Sequence, residues 1–252
     1  MSNFVIHGGK PLYGSVRVGG AKNASYKLML AALLADTPSR ILNFSHISDV
    51  YLVASLINSL GAKAMQVGER TFMIDPTSLK LDEIDPSSGE ASRASTMFIP
   101  ALLAKFGRAV VPFPGGDKIG ARPLDRHFDG LIALGAQVEV KDNKIIVTAK
   151  ELTGATYKFQ KSTHTGTETL IMAAVKAKGT TILENSALET EIDDLIKFLN
   201  SMGAKITRKP NRVIEIIGVP KLSGAIHKIM PDHNQVVSFA CAALATDRKS
   251  VV

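Results

Sequence analysis

At 252 residues the chain holds one large domain or two small ones, long enough to bury most of the surface its unfolded form exposes. Hydrophobic residues make up 45% and charged residues 21%, the balance of an ordinary globule, which excludes a disordered or collagen-like chain. The net charge of +7 favours anionic partners. Lys and Arg are scattered, however, no run of five occurs, and aromatics are only 6%, so a nucleic-acid surface is not expected.

Residues 1–7 lack the basic and apolar regions of a secretory signal. The apolar stretch 28–35 falls far short of the roughly 20 residues that span a bilayer. A single cysteine, Cys241, forms no internal disulfide and leaves no Cys pair for zinc. A cytoplasmic protein is expected, with no metal, no cofactor and no membrane or nucleic-acid partner.

In chain order, a Leu-x-Gly opening at Leu12-Tyr13-Gly14 precedes Gly19-Gly20-Ala21-Lys22-Asn23-Ala24, where a glycine pair ends a strand and Lys22 begins a helix. A helix start favours an anion through its free N–H groups and its dipole. The spacing is not that of a Walker A loop. That first helix is Ala-rich and ends at Leu33-Leu34-Ala35; a second, over 53–59, ends at Leu60-Gly61-Ala62. Both endings return: Leu102-Leu103-Ala104, Val175-Lys176-Ala177 and Ala243-Leu244-Ala245 for one, Leu134-Gly135-Ala136 and Met202-Gly203-Ala204 for the other. The Leu-x-Gly opening returns as Leu152-Thr153-Gly154 and Leu222-Ser223-Gly224. Three markers sharing one period of roughly 70 residues define a repeat. Alternating stretches such as 137–140 and 144–148 follow the Leu-Gly-Ala turns and read as paired strands.

The expected fold class is therefore α/β, built from three repeated βαβαββ-like units over residues 21–221. Residues 1–20 are expected to form an N-terminal strand region packing with a second domain, and 222–252 the truncated start of that domain, because a fourth unit stops after its first helix, 234–245.

Between a strand at 109–111 and a helix from about Leu124, the loop Val111-Pro112-Phe113-Pro114-Gly115-Gly116-Asp117-Lys118-Ile119-Gly120-Ala121-Arg122-Pro123 carries three glycines and three prolines around potential proton-transfer and phosphate-binding groups. Asp117 suits proton transfer; Lys118 and Arg122 suit an anion. Arg93 and His164-Thr165-Gly166-Thr167-Glu168 stand at the helix starts of units two and three, equivalent to Lys22. Equivalent positions of repeated units tend to face one cleft. His127 reads as structural, and Glu189 and Glu191 as the beginning of a helix.

Together, Gly20-Ala21-Lys22-Asn23-Ala24, Arg93-Ala94-Ser95, the run from Pro114-Gly115-Gly116 to His127, Leu134-Gly135-Ala136 and Glu184-Asn185-Ser186-Ala187 resemble the UDP-N-acetylglucosamine 1-carboxyvinyltransferase (enolpyruvyl transferase) family over essentially the whole chain. The sister family acting on shikimate 3-phosphate shares the fold but not the Pro-Gly-Gly-to-His loop. The resemblance implies an inside-out α/β barrel domain, with an active site completed by a second domain or partner chain. It implies transfer of enolpyruvyl from phosphoenolpyruvate to the 3′-hydroxyl of UDP-N-acetylglucosamine with loss of phosphate, the first committed step of peptidoglycan synthesis. Lys22, Asn23, Arg93 and Arg122 then match substrate-binding positions, Lys22 and Arg122 also serving catalysis. Pro123, Leu124, Asp125 and Arg126 match a stretch that contacts the nucleotide. Asp117 stands where most members carry a cysteine that protonates the enol carbon, and some carry aspartate. The resemblance therefore implies a general acid at Asp117 and insensitivity to fosfomycin, which alkylates the thiol. Two further departures are Ser162, Thr163, His164 and Thr165, in the nucleotide loop that usually reads Ser-Val-Gly-Ala-Thr, and Pro231-Asp232-His233, where Pro-Asp-Arg is usual. An alternative is a non-catalytic half that binds the sugar nucleotide without turnover.

Overall fold

Two of the Ala-rich segments become helices with no solvent face. In the computed structural model, which describes residues 3–5, 7, 9–86, 93–114 and 123–246, α1 (Lys22–Ala32) is buried at eight of its eleven positions and α5 (His164–Ala174) from Gly166 onward. A helix apolar all round belongs inside a core. The corresponding segment of the second unit is a 3₁₀ turn, Arg93–Phe98, that runs into α3 (Ile99–Phe106), with Ile99 to Leu103 buried. The other helices, α2 (Ser48–Ser59), α4 (Asp125–Ala133) and α6 (Thr190–Ser201), bury one face each.

Three sheets surround these helices. They comprise β1 (Ser39–Leu42), β2 (Lys63–Gly68) and β3 (Thr71–Asp75); β4 (Arg108–Pro112), β5 (Gln137–Lys141) and β6 (Lys144–Thr148); and β7 (Thr156–Lys158), β8 (Thr180–Glu184), β9 (Lys205–Lys209) and β10 (Val213–Ile217). A short strand, β11 (Ile226–Lys228), joins the first set, giving orders β11-β1-β3-β2, β4-β6-β5 and β7-β8-β10-β9. β7 and β11 pair parallel to β8 and β1, and a parallel bridge from Glu83 to Val110 gives the middle sheet the same edge. Alternate residues of β3, β6 and β10 are buried, so each sheet turns one face to the helices. The three βαβαββ units and the inside-out arrangement expected from sequence are thus present.

The Leu-Gly-Ala turns work as the repeat suggested. Gly61, Gly135 and Gly203 take φ of 95°, 94° and 105°, the left-handed position that closes a helix. Two of these turns carry a lock not anticipated from sequence. Asn58 accepts from Ala64 N at 2.7 Å and donates to its carbonyl at 3.2 Å, and Asn200 does the same with Ile206 at 2.9 and 2.9 Å.

The first unit takes its parallel edge from far along the chain. Leu12-Tyr13-Gly14 does not open it: these residues are exposed and form no strand. Leu222-Ser223-Gly224 takes that place. Leu222 O accepts from Asp36 N at 2.8 Å, Ala225 O from Arg40 N at 2.9 Å, and Ile229 N donates to Leu42 O at 3.0 Å. A Cβ on Gly224 would run into the Pro38 carbonyl, as one on Gly154 would into Thr180. Residues 226–228, within the segment expected to begin a second domain, pair with β1 at the edge of the first sheet. The helix that follows, α7 (His233–Ala245), has no buried residue.

Where α1 meets α5 the core holds a charge pair. Lys27 Nζ lies 2.5 Å from Glu168 Oε2, with side-chain exposures of 2% and 0%. Burial opposes the ammonium charge, but Glu168, helped by Tyr26 and Glu191, holds its pKa above the ordinary 10.5. The Tyr26 ring lies 5.8 Å away, and burial holds its phenol above 10.0. Removing one partner strands a buried charge, whereas replacing both removes the penalty. Lys27→Met is expected to cost about 3–5 kcal/mol in urea unfolding, and Lys27→Met/Glu168→Gln to recover most of it. Because the pKa is raised, this contribution is present throughout the neutral range and fades only as pH climbs past about 10.5.

Candidate functional site

The starts of the three central segments lie together at one end of the core. Lys27, in the second turn of α1, reaches His164, the first residue of α5, with Nζ 3.3 Å from Nε2. Thr169 Oγ1 donates to Met97 Sδ at 3.2 Å, tying α5 to the 3₁₀ turn that Arg93 opens. Helix starts gathered in this way turn their positive dipole ends to one space, a setting suited to an anion.

Buried hydroxyls fix the backbone around that space. Ser25 Oγ donates to Ala21 O at 2.8 Å and accepts from Ser45 N at 3.0 Å. Thr167 Oγ1, its equivalent in unit three, donates to Thr163 O at 2.7 Å and accepts from Ala187 N at 3.1 Å. Each ties its helix to the turn that follows the next strand.

Lys22 and Asn23 sit at the mouth of α1. The Lys22 side chain is 54% exposed and pairs with Asp49 at 3.2 Å; Asn23 is half-buried, and its amide makes no hydrogen bond among the described residues. Their backbone is set by Asp232, a buried carboxylate that caps two helices. Its Oδ2 accepts from Lys22 N at 3.0 Å, and its Oδ1 from Asn234 N at 2.8 Å and Gln235 N at 3.3 Å. Sequence reasoning marked Asp232 only as part of a departure at Pro231-Asp232-His233. His233, standing for the usual arginine, is half exposed and lies 3.8 Å from the buried Glu191.

The third-unit loop is held from both sides. Ser162 Oγ accepts from Arg212 Nη2 at 2.8 Å, Thr163 caps α5 by accepting from Gly166 N at 3.3 Å, and Thr165 Oγ1 bonds His127 Nε2 at 3.0 Å. His127 is buried and ties the start of α4 to this loop, the structural role expected for it. Around the start of α4, Pro123 and Asp125 are exposed and Arg126 half-buried, but Leu124 is buried at 7% exposure. Asp117, Lys118 and Arg122 lie outside the described residues, as does the Arg93 side chain. Glu189 stands at the cap position of α6 and Glu191 in its first turn, as the helix-start reading expected.

Lys27 and Arg212 were missed as members of this end, and Glu168 and Asp232 were named only within longer motifs. Lys27 carried a signal, since a lone cation beside the apolar stretch 28–35 must find a partner once buried. A cavity of about 1000 Å³ lies elsewhere, against Leu103, Phe106, Thr148, Leu152, Lys176 and Val219. It adjoins the ends of α3 and α5, where helix dipoles disfavour an anion. Among the described residues no cluster of His, Cys, Asp or Glu is placed to hold a metal ion, and no helix is long and apolar enough to cross a membrane.

UDP-N-acetylglucosamine 1-carboxyvinyltransferase 3 of Caldanaerobacter subterraneus subsp. tengcongensis is 43% identical over 246 residues, covering 98% of this chain and 59% of the relative. UDP-N-acetylglucosamine 1-carboxyvinyltransferase 2 of Lactiplantibacillus plantarum is 44% identical over 246 residues, covering 96% and 58%. The chain thus spans under two-thirds of the length of these curated relatives. Among solved structures, the enolpyruvyl transferase NikO from Streptomyces tendae superposes with a TM-score of 0.82 at 25% identity, over 94% of this chain and 56% of that one. EPSP synthase from Acinetobacter baumannii, at 19% identity, shares the fold with a TM-score of 0.74 over 92% and 53%. The family model for EPSP synthase (3-phosphoshikimate 1-carboxyvinyltransferase) matches residues 6–252, and the chain belongs to that family.

Proposed function

We propose that this chain forms the nucleotide-binding wall of a UDP-N-acetylglucosamine 1-carboxyvinyltransferase, which moves enolpyruvyl from phosphoenolpyruvate to the sugar 3′-hydroxyl and releases phosphate. The observation that carries the reading is the meeting of three central-segment starts around Lys22, Asn23 and the 162–165 loop. The relatives at 43% and 44% identity, named for this activity, support the sugar nucleotide over shikimate 3-phosphate. In this reading Lys22, Arg93 and Arg122 hold the anionic groups, Asn23 and the segments 123–126 and 162–165 orient the nucleotide, and Asp117 gives its proton to the enol methylene carbon. Asp117 acts as an acid only if burial or a neighbouring anion lifts its pKa well above the usual carboxylate range of about 3.9. The setting is a cytoplasmic step of peptidoglycan synthesis.

The faces left open support a shared site. Val237, Phe239 and Leu244 on α7, with Phe4, Leu12 and Tyr13 on the N-terminal segment, are exposed apolar groups. Exposed apolar side chains on these two segments are available to a partner. In this proposal they receive the second domain or partner chain that supplies the other wall.

Phosphate release from phosphoenolpyruvate tests the reading. Release that requires UDP-N-acetylglucosamine, and that falls at least about 100-fold in Asp117→Asn while nucleotide affinity holds, is expected of the complete site. Binding without release by these 252 residues assigns them the nucleotide wall alone; absence of both contradicts the proposal. Fosfomycin is expected to leave the intact mass unchanged at Asp117, and a covalent adduct there would refute that expectation.

A further inference from the structure

The buried pair reaches the surface at His164. Its Nε2 lies 3.3 Å from Lys27 Nζ and 3.1 Å from Glu168 Oε1, so one ring nitrogen faces a donor and an acceptor. These neighbours make opposite demands. An ammonium only donates and needs a bare Nε2, whereas a carboxylate only accepts and needs Nε2 to carry a proton. The Lys27 contact has hydrogen-bond geometry, whereas Glu168 Oε1, though 3.1 Å from Nε2, is left without a hydrogen-bond partner, so the ammonium sets the demand on Nε2. A neutral imidazole with a bare Nε2 carries its proton on Nδ1. That edge makes no hydrogen bond among the described residues, and 21% of the side chain is exposed at the start of α5.

We infer that the Lys27–Glu168 pair locks His164 as the Nδ1–H tautomer, so that its outer edge meets the bound sugar nucleotide as a hydrogen-bond donor to a phosphate or carbonyl oxygen. The inference rests on the proposed nucleotide wall and adds to it a pair of positioning residues. Lys27 and Glu168 touch no ligand. Glu168 holds the ammonium, the ammonium holds Nε2, and the ring offers one fixed polarity at a helix start whose own N–H groups share it. The nucleotide loop then selects an acceptor at this point and rejects a donor, whose approach would leave two N–H groups face to face.

Nitrogen-15 spectra of the labelled 252-residue chain at neutral to mildly alkaline pH test the lock without any ligand. The neutral His164 ring is expected to show Nδ1 in the protonated range and Nε2 in the bare range; the reverse assignment overturns the inference. Calorimetry with UDP-N-acetylglucosamine tests its use. His164→Asn, whose amide N–H falls near Nδ1, is expected to keep most of the affinity, and His164→Leu to lose roughly tenfold, the scale of one hydrogen bond to a charged group. Lys27→Met/Glu168→Gln, with folding checked by circular dichroism, is expected to mix the His164 tautomers and weaken binding several-fold. UDP and uridine as further titrants separate a phosphate acceptor from a base carbonyl. Equal affinities for the Asn and Leu variants overturn the donor role. A wild-type chain that binds no nucleotide overturns the proposed wall, and the spectrum alone then decides the tautomer.

Discussion

A lysine and a glutamate sealed from water between α1 and α5 set the terms for the functional end of this fold. Neither charge is tolerable alone in that interior, where the cost is several kcal/mol per ion. Together they hold the two helices in one register, since a slip of one turn, 5.4 Å, parts them. Lys27 stands in the second turn of α1 and His164 opens α5, so the same pair that fixes the register also brings the helix mouths together. The chemistry proposed for the site thus depends on a contact inside the core.

Closure of the fold follows a related logic. Each sheet carries a short parallel edge, and the first unit takes its edge from a strand that lies after the third unit in sequence. Asp232, just beyond that strand, caps α1 as well as α7. The sequence marker at Leu12-Tyr13-Gly14 repeats the right residues, but a three-residue pattern does not encode which copy a sheet edge accepts. That is a long-range choice, settled by the hydrogen bonds of Leu222, Ala225 and Ile229 with residues 36–42.

Much of the architecture was legible because it repeats. Glycine at each helix end, Ala-rich helices and alternating strands are local signals, and a shared period made them mutually supporting. Lys22, Asn23 and the 162–165 loop were readable as helix-start positions and are found there. The Lys27–Glu168 contact was not, because its partners are 141 residues apart in sequence and only packing makes them neighbours. Arg212 was unreadable for the same reason, as it reaches Ser162 from a turn between two strands of the third sheet. Leu124 shows the opposite limit: a motif position matched the family, but its side chain serves the core.

The central claim is that the nucleotide lies at the helix starts, and not in the larger cavity beside Lys176. Hydrogen–deuterium exchange with and without UDP-N-acetylglucosamine addresses it most directly. The account predicts slowed exchange over residues 22–26, 123–128 and 162–167, with residues 103–107 and 148–152 unchanged. Protection confined to the segments around the cavity, or no protection at the helix starts at saturating nucleotide, would contradict it.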